Sequence, residues 1–521
     1  MSVGSFDCIV IGAGHNGLVC ATYLARSGRT VLVLEAAEQV GGAALTREFV
    51  PGFRVSACAH LLHMMPAALL ADLHLHEHGL ALAARDLPTT ALAPGGTPLR
   101  IDPLDAPALA AHCPRDVAAL GAYRERMRRH ARALHAVLQT VPPRMTAESW
   151  ADRLALLRLA WQLRRLGRAQ LRDLLRIGAM SVWDLLEDSF ECEQLRGALA
   201  LDAVLGTNFG PRSPGTVFTL LHRMAASGSG VSSLAQPVGG LGALSDALAR
   251  SARQAGAVVR TGAQVHRIRV VNDRAAGVVL RSGEEIHATT IVSSADPKTT
   301  FLGLLGSEHL DSGFVRRITH VRSGGLAAKL HLALARLPQF AGVPPQGLAG
   351  RLLLAPSLQY IERAFNHAKY REFSPAPILE VTVPTVSDPA LAPSGKHVLS
   401  AIVQYVPYDP ALAGPAARTA LTDAVLGCLQ ASAPGIVDSV EGLELLTPQD
   451  IEREFRVRGG HWHHAELALD QFFWMRPVVG AAQYRTPVAG LYLCGAGCHP
   501  GGGVMGIAGR NAAQQVTREA A

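Results

Sequence analysis

Three glycines in the pattern Gly12-x-Gly14-x-x-Gly17 follow the apolar run Asp7–Ile11, and Glu35 closes the next apolar run, Thr30–Leu34. Those residue types at that spacing suit a dinucleotide. Gly12 allows a tight turn, Gly14 lets a pyrophosphate approach the backbone, and Gly17 lets a helix pack closely on a sheet. The helix N-terminus then faces the phosphates, and Glu35 suits ribose hydroxyls as a hydrogen-bond acceptor. By itself the fingerprint fits FAD and NAD equally. Near the C-terminus, glycines 495, 497 and 501–503 would let backbone lie flat against a ring. A helix opening near Gly503 would turn its positive end towards that ring.

Other groups are weaker signals. His74-x-His76-x-His78 and His461-x-His463-His464 have spacings that a strand could turn into metal ligands. Neither is joined by a second constellation of Asp, Glu or Cys, so no metal is expected. Cys494 and Cys498 sit in a strand and its following loop and read as buried thiols rather than a redox pair; no Cys-x-x-Cys occurs. Lys329 lies within the apolar run Leu326–Leu334, where an ammonium is costly unless partnered or unless it snorkels to solvent from an edge strand. Gly239-Gly240-Leu-Gly242 lacks a preceding strand, so no dedicated NAD(P) domain is expected.

The elements that must position these residues follow from period and punctuation. Residues 6–35 read as a βαβ unit, with a helix from Leu18 to Arg26 closed by Gly28. Residues 115–200 are helical and rich in arginine. A helix near 241–255 precedes short alternating segments at 257–260, 264–270, 275–280 and 289–293, spaced by turns as antiparallel strands would be. Strands of another sheet are expected at 325–336 and 397–406, with a helix near 416–431. A strand at 490–494 comes before the C-terminal glycine loop.

Composition bounds the class. The chain has 521 residues, of which 49% are apolar and 17% charged, so it is globular rather than disordered. No apolar run is long enough to span a membrane. Eight cysteines are too few for a disulfide scaffold, and a first strand at Phe6 leaves no room for a signal peptide. These point to a reducing, cytoplasmic setting. Net charge is +7, yet residues 124–176 alone hold thirteen Arg and no Lys against Glu125, Glu148, Asp152 and Asp173, a local +9. The remainder is slightly acidic, which argues against a nucleic-acid surface. Within this region, Arg153–Arg168 is a basic amphipathic stretch containing Trp161; it suits either an anionic membrane surface, on the inner membrane face, or a solvated cap over a cavity.

Glu35 followed by Val40-Gly41-Gly42-Ala43, with Thr46-Arg47 and Pro51-Gly-Phe53, resembles the start of the flavoprotein family of phytoene desaturases and flavin amine oxidases. The resemblance runs through Pro237–Gly240, Val265, Ile268, Gly277-Val278 and Val292-Ser293. It is most specific in Tyr492–Gly506 and Gly509-Arg510-Asn511. The C-terminal block, with His464, Asp470-Gln471 and Arg476-Pro477, is similar to the subgroup of pyridine nucleotide-disulfide oxidoreductase domain-containing protein 2 and a desaturase-like carotenoid ketolase.

The resemblance implies an α/β fold: a discontinuous Rossmann-like FAD-binding domain (GR2-type) over 1–75, 230–300 and 480–521. A substrate domain of α+β type, with a mixed sheet and a helical cap, would take 76–229 and 301–479. It implies FAD as cofactor, held by Gly12, Gly14, His15, Asn16, Gly17, Glu35, Ala36, Gly41, Gly42, Ala43, Arg47, Val265, Gly495, Ala496, Gly503, Val504 and Met505. Flavin amine oxidases carry a lysine on a strand comparable to that of Lys329, where it holds a water against flavin N5. Lys329, His464 near the substrate cavity, and His60 (with His63 beside it) are therefore the candidates for catalysis. The expected activity is an FAD-dependent oxidoreduction of a lipophilic or small organic molecule, with hydride passing to flavin N5. Carotenoid ketolation or desaturation is the sharper alternative. A flavin-holding interaction protein is the alternative of another class.

Overall fold

The computed structural model describes residues 6–101, 106–145, 150–226 and 234–520. Its first sheet is built around the strand Phe6–Ile11, which is buried from Cys8 onward, as a central parallel strand covered on both faces must be. Val31–Leu34 lies parallel on one side and Val258–Arg260 lies parallel beyond it. On the other side lies the long strand Glu285–Ser293. The two halves of that strand do different work. Residues 291–293 pair in parallel with Leu491–Leu493, and residues 285–287 pair antiparallel with Arg274–Leu280, which in turn carries Val265–Val271.

Helices His15–Arg26, Gly242–Gln254 and Ile507–Ala520 pack together beside this sheet. The last begins at Ile507, not near Gly503, so the helix end expected beside the C-terminal glycine loop is displaced four residues along the chain.

A second sheet has the strand order 440–446, 327–334, 397–404, 378–382, 351–354, 89–91, 99–100. Every pairing in it is antiparallel except that between 351–354 and 89–91, so the sheet is mixed. Lys329 sits on an inner strand, between 397–404 and 440–446, and is fully buried; the snorkelling alternative does not apply. Alternation explains its surroundings. Ala328, Leu330, Leu332 and Leu334 enter a core with the helix Pro415–Ser432. Ala333, two positions from His331 and four from Lys329, packs with Phe53 and Val55 of the hairpin Thr46–Ser56.

Helices Asp116–Leu138, Trp150–Arg165, Gly167–Ala179, Val182–Glu187, Glu193–Val204 and Thr216–Ala226 form the cap. A disulfide joins Cys113 to Cys192 within it, closing a span of 79 residues. Cysteine count and spacing gave no sign of this pairing, because the partners are brought together only by the packing of distant helices.

Candidate active site

Gly12 has φ +92°, and a Cβ on Gly17 would collide with the Gly12 carbonyl oxygen, so both glycines are required by backbone geometry. Gly14 caps the helix that starts at His15, and Gly41 bridges Gly14 as its N–H donates to the Ala13 carbonyl at 2.9 Å. The Glu35 carboxylate accepts from the Ala13 N–H at 2.7 Å and from the Ala37 N–H at 2.9 Å. It is thereby fixed at the mouth of a cavity, with lone pairs left over.

That cavity has a volume of about 890 Å³. Gly12, Gly14, His15, Asn16, Glu35, Ala36, Gly41, Gly42, Ala43, Val265, His464 and Ala496 all line it. Sequence reasoning missed further residues of its lining: Arg456 and Arg458, just after the helix Pro448–Phe455, with Ser323, Gly324 and Trp462. The signal available for them was Arg456-Val-Arg458-Gly459-Gly460, a basic, turn-forming run. Arg281, also on the lining, had no distinguishing context.

Several expected cofactor residues have other roles. Arg47 is not at the cavity: the hairpin directs it to Glu454 at 2.6 Å and Glu444 at 3.0 Å, where it ties the hairpin to the helix Pro448–Phe455 and the strand 440–446. Met505 is buried against Met64, Ala226 and Ile507. Gly495 packs on the backbone of Ser294. Gly503 and Val504 line a second, smaller chamber of about 110 Å³, which shares His15, Ala43 and Trp462 with the first. His464 lines the larger cavity rather than the chamber.

Of the three catalytic candidates only His60 lines the chamber, and Lys329 reaches it from behind. Lys329, Ile402 and Glu380 are register partners across three adjacent strands, a single row about 5 Å per step. Ile402 and Glu380 line the chamber, whereas Lys329 does not. Its Nζ lies 2.7 Å from His60 Nδ1, and His60 Nε2 lies 2.9 Å from Glu380 Oε1. Burial, and then the neighbouring Lys329, push His60 down to about 4, so its ring is neutral. The network assigns the tautomer: Nζ–H donates to Nδ1, and Nε2–H donates to Glu380. Burial also lowers Lys329 to about 7, against the pull of Cys58 and Glu380. His60 is thus the group presented to the chamber, and Lys329 stands behind it.

Glu380 stays ionised although burial opposes it, because Arg351 and the bond from His60 hold it well below the usual range. Arg351 reaches Glu380 Oε2 at 3.0 Å and forks onto Asp202 at 2.6 and 3.0 Å. Arg223 completes the cluster, with Nε 3.3 Å from Asp202 and Nη2 3.7 Å from Glu380. Two guanidiniums and two carboxylates balance, which is the condition for keeping so many charges buried.

The histidine runs weighed for a metal point elsewhere. His74 bonds Glu77 on the surface, and His463 accepts from the Trp462 indole. Arg476, fully buried, donates to the carbonyls of Glu466, Gln471, His463, Ala465, Ala496 and Cys498, binding the 463–471 loop to the C-terminal glycine loop. Cys494 and Cys498 are buried thiols pushed upward by burial, Cys498 to about 12, the opposite of a redox-active cysteine.

The two large sheets, the glycine cradle and the fixed carboxylate are those of a flavoprotein oxidoreductase. Residues 17–517 match the family model of flavin containing amine oxidoreductases, and the chain belongs to that family. It is an FAD-dependent oxidoreductase of the amine oxidase and desaturase superfamily. It is 38% identical to mouse pyridine nucleotide-disulfide oxidoreductase domain-containing protein 2, over 99% of this chain and 94% of the relative. It is 26% identical to the lycopene-forming phytoene desaturase of Pseudescherichia vulneris over 64% and 67% of the two chains. Among solved structures, putrescine oxidase bound to putrescine superposes with a TM-score of 0.62 at 16% identity, over 99% of both chains, a likeness of fold.

Proposed function

We propose that the chain binds FAD noncovalently along the larger cavity and oxidises a small or lipophilic organic molecule held in the adjoining chamber. The observation carrying this reading is the junction of the two spaces at His15, Ala43 and Trp462. The residues fit the cofactor. His15 Nε2, Asn16 Oδ1 and His464 Nδ1 are buried polar atoms without a protein partner beside the cavity, and such atoms call for a ligand. Glu35 would take the adenosine ribose, and Arg456 and Arg458 supply positive charge to a pyrophosphate.

When bound, FAD supplies a hydride acceptor at N5. The protein's part is to orient the substrate, exclude water and manage a proton. His60, neutral and hydrogen-bonded on both sides, can pass a proton between Glu380, on the chamber lining, and Lys329. Lys329 near neutrality can take that proton up.

Carotenoid desaturation or ketolation is the runner-up, and the small described volume of the chamber weighs against a long polyene. Amine oxidation by an aromatic cage is disfavoured, since Trp462 is the only Phe, Tyr or Trp among the described residues of the chamber lining. The interaction-protein alternative makes a separate forecast: no reduction by any substrate. Purified chain should be yellow and release FAD on denaturation. Anaerobic mixing with a lipid and carotenoid extract should bleach the flavin band, and NADH should not do so rapidly. Colourless protein that takes up no added FAD defeats the reading, and flavin that stays oxidised with every extract favours the interaction protein.

A second surface bears on how a lipophilic substrate arrives. Trp150, Leu154, Leu157 and Trp161 stand on one face of the helix Trp150–Arg165, and all are exposed, at 77, 50, 66 and 58%. Arg153 lies over the Trp150 ring and Arg165 over the Trp161 ring. An exposed apolar stripe edged by arginines suits peripheral binding to an anionic membrane surface. Among the described residues, no helix is long and apolar enough to cross a membrane.

A further inference from the structure

We infer that the chamber takes a substrate bearing a carboxylate, anchored by Arg223. The inference rests on the proposed oxidoreductase reading and names the substrate class of that same site. It begins with the division of bonds in the buried charge cluster. Arg351 holds Asp202 through two bonds and Glu380 through one, all at 3.0 Å or less. Glu380 gives its other oxygen to His60. The two carboxylates are thereby engaged by better-placed partners before Arg223 reaches them.

Arg223 is left with the looser share. Its buried Nε lies 3.3 Å from Asp202 without forming a hydrogen bond, and its Nη2 lies 3.7 Å from Glu380. A guanidinium is planar and presents paired donors, the geometry that suits a carboxylate. Arg223 lines the chamber and is the only permanently cationic group among the described lining residues; the ionised Glu380 lines it too, with one oxygen taken by His60 and the other by Arg351. His63, also on the lining, has Nδ1 3.3 Å from the Leu61 carbonyl; with Nδ1 as the donor, its buried, unpartnered Nε2 is an acceptor and does not compete for an anion.

The rest of the lining sets the remaining chemistry. Leu61, Met64, Leu205, Ile402 and Val504 make the walls apolar, and the described volume is about 110 Å³. A small apolar acid matches that combination: two carboxylate oxygens for the guanidinium donors that Asp202 and Glu380 leave without hydrogen bonds, and a hydrocarbon body for the walls. With its carboxylate on Arg223, the body of such an acid extends towards His15, Ala43 and Trp462, where the chamber adjoins the cofactor cavity.

The test is titration calorimetry on the purified holoprotein with benzoate and isobutyrate, against benzamide and isobutyramide as neutral isosteres, with flavin absorbance followed in parallel. The acids should bind and perturb the flavin band, and the amides should bind at least about tenfold more weakly. Arg223→Met should weaken acid binding by at least about tenfold while retaining flavin, and Arg223→Lys should fall between. Equal binding of acids and amides, acid binding unchanged in both variants, or no binding of either acid at millimolar concentration would overturn the inference. The acid–amide comparison on the unmodified protein stands even if a variant misfolds. Yellow protein indifferent to carboxylates sinks this inference alone, whereas protein unable to hold flavin sinks the functional reading beneath it.

Discussion

Glu35 shows how much one carboxylate does once its geometry is fixed. Two backbone N–H groups hold it, at 2.7 and 2.9 Å, so its remaining lone pairs are pre-aimed at the cavity. Glu35→Ala should weaken FAD binding by roughly 1–3 kcal/mol, the worth of a hydrogen bond to a charged group, as read from flavin fluorescence on dilution. Lys329 makes a prediction of another kind. Its folded value of about 7 lies below the ordinary 10.5, so between those pH values the unfolded chain carries a proton that the folded chain does not. Stability should therefore rise as pH rises through that window, and the gain should be lost as pH falls back towards 7. Lys329→Met removes this titration. The variant should be most advantaged over the parent near and below pH 7, with the gap narrowing towards pH 10, as urea midpoints would show. If His60 passes protons to Lys329, the variant should also lose the inflection near pH 7 in the rate of flavin reduction. A purely structural lysine would leave that profile unmoved.

At the scale of elements, what was legible in the sequence is what the backbone itself demands. The Gly12–Gly17 turn, the Gly41-Gly42 bend and the antiparallel strands 265–271 and 274–280 are local patterns and lie where local pattern places them. By contrast, 258–260 and 291–293, expected as antiparallel, pair in parallel because their partners are distant strands of the first sheet. The final helix was misjudged at its start because the glycines before it read as a loop running straight into a helix. Least legible was the charge cluster. Asp202, Arg223, Arg351 and Glu380 come from two helices and two strands, and His60 and Lys329 are 269 residues apart. No spacing rule joins them; sheet register does, through the row of Lys329, Ile402 and Glu380. Arg476 is an intermediate case, visible as a residue before proline but not as a clamp on six carbonyls. Arg476→Lys keeps the charge but loses the planar fork. Leaving even one or two buried carbonyls unpaired should cost at least about 2 kcal/mol, seen as a lower Tm together with reduced flavin occupancy. Close approach gives a parallel case: a Cβ on Gly509 would collide with the Asn16 carbonyl, where the last helix meets the first. Gly509→Ala should force those helices apart at a cost of about 1–3 kcal/mol, read from denaturant midpoints.

For the molecule as a whole, the distribution of surface charge and apolar area is uneven enough to carry a prediction. The chain's net charge is +7, and residues 124–176 contribute +9 of opposing balance to a slightly acidic remainder. The exposed stripe of Trp150, Leu154, Leu157 and Trp161 lies in that region, and Leu175 on the next helix is also exposed, at 68%. A monomer that buries its core well has no internal reason to leave two tryptophans and several leucines together in water. Arginines contribute on the order of 1 kcal/mol each near an anionic surface, so four or five in suitable positions suffice for reversible attachment, with insertion of the tryptophans adding to it. Co-sedimentation with anionic vesicles should therefore exceed that with neutral vesicles at low salt and fall as salt is raised. Trp150→Ser with Trp161→Ser should weaken binding while preserving its salt dependence. Arg158→Gln with Arg165→Gln should reduce the salt dependence itself. Equal sedimentation with both lipids would leave these helices as a solvated cap, and the route for a lipophilic substrate would then have to be sought elsewhere on the molecule.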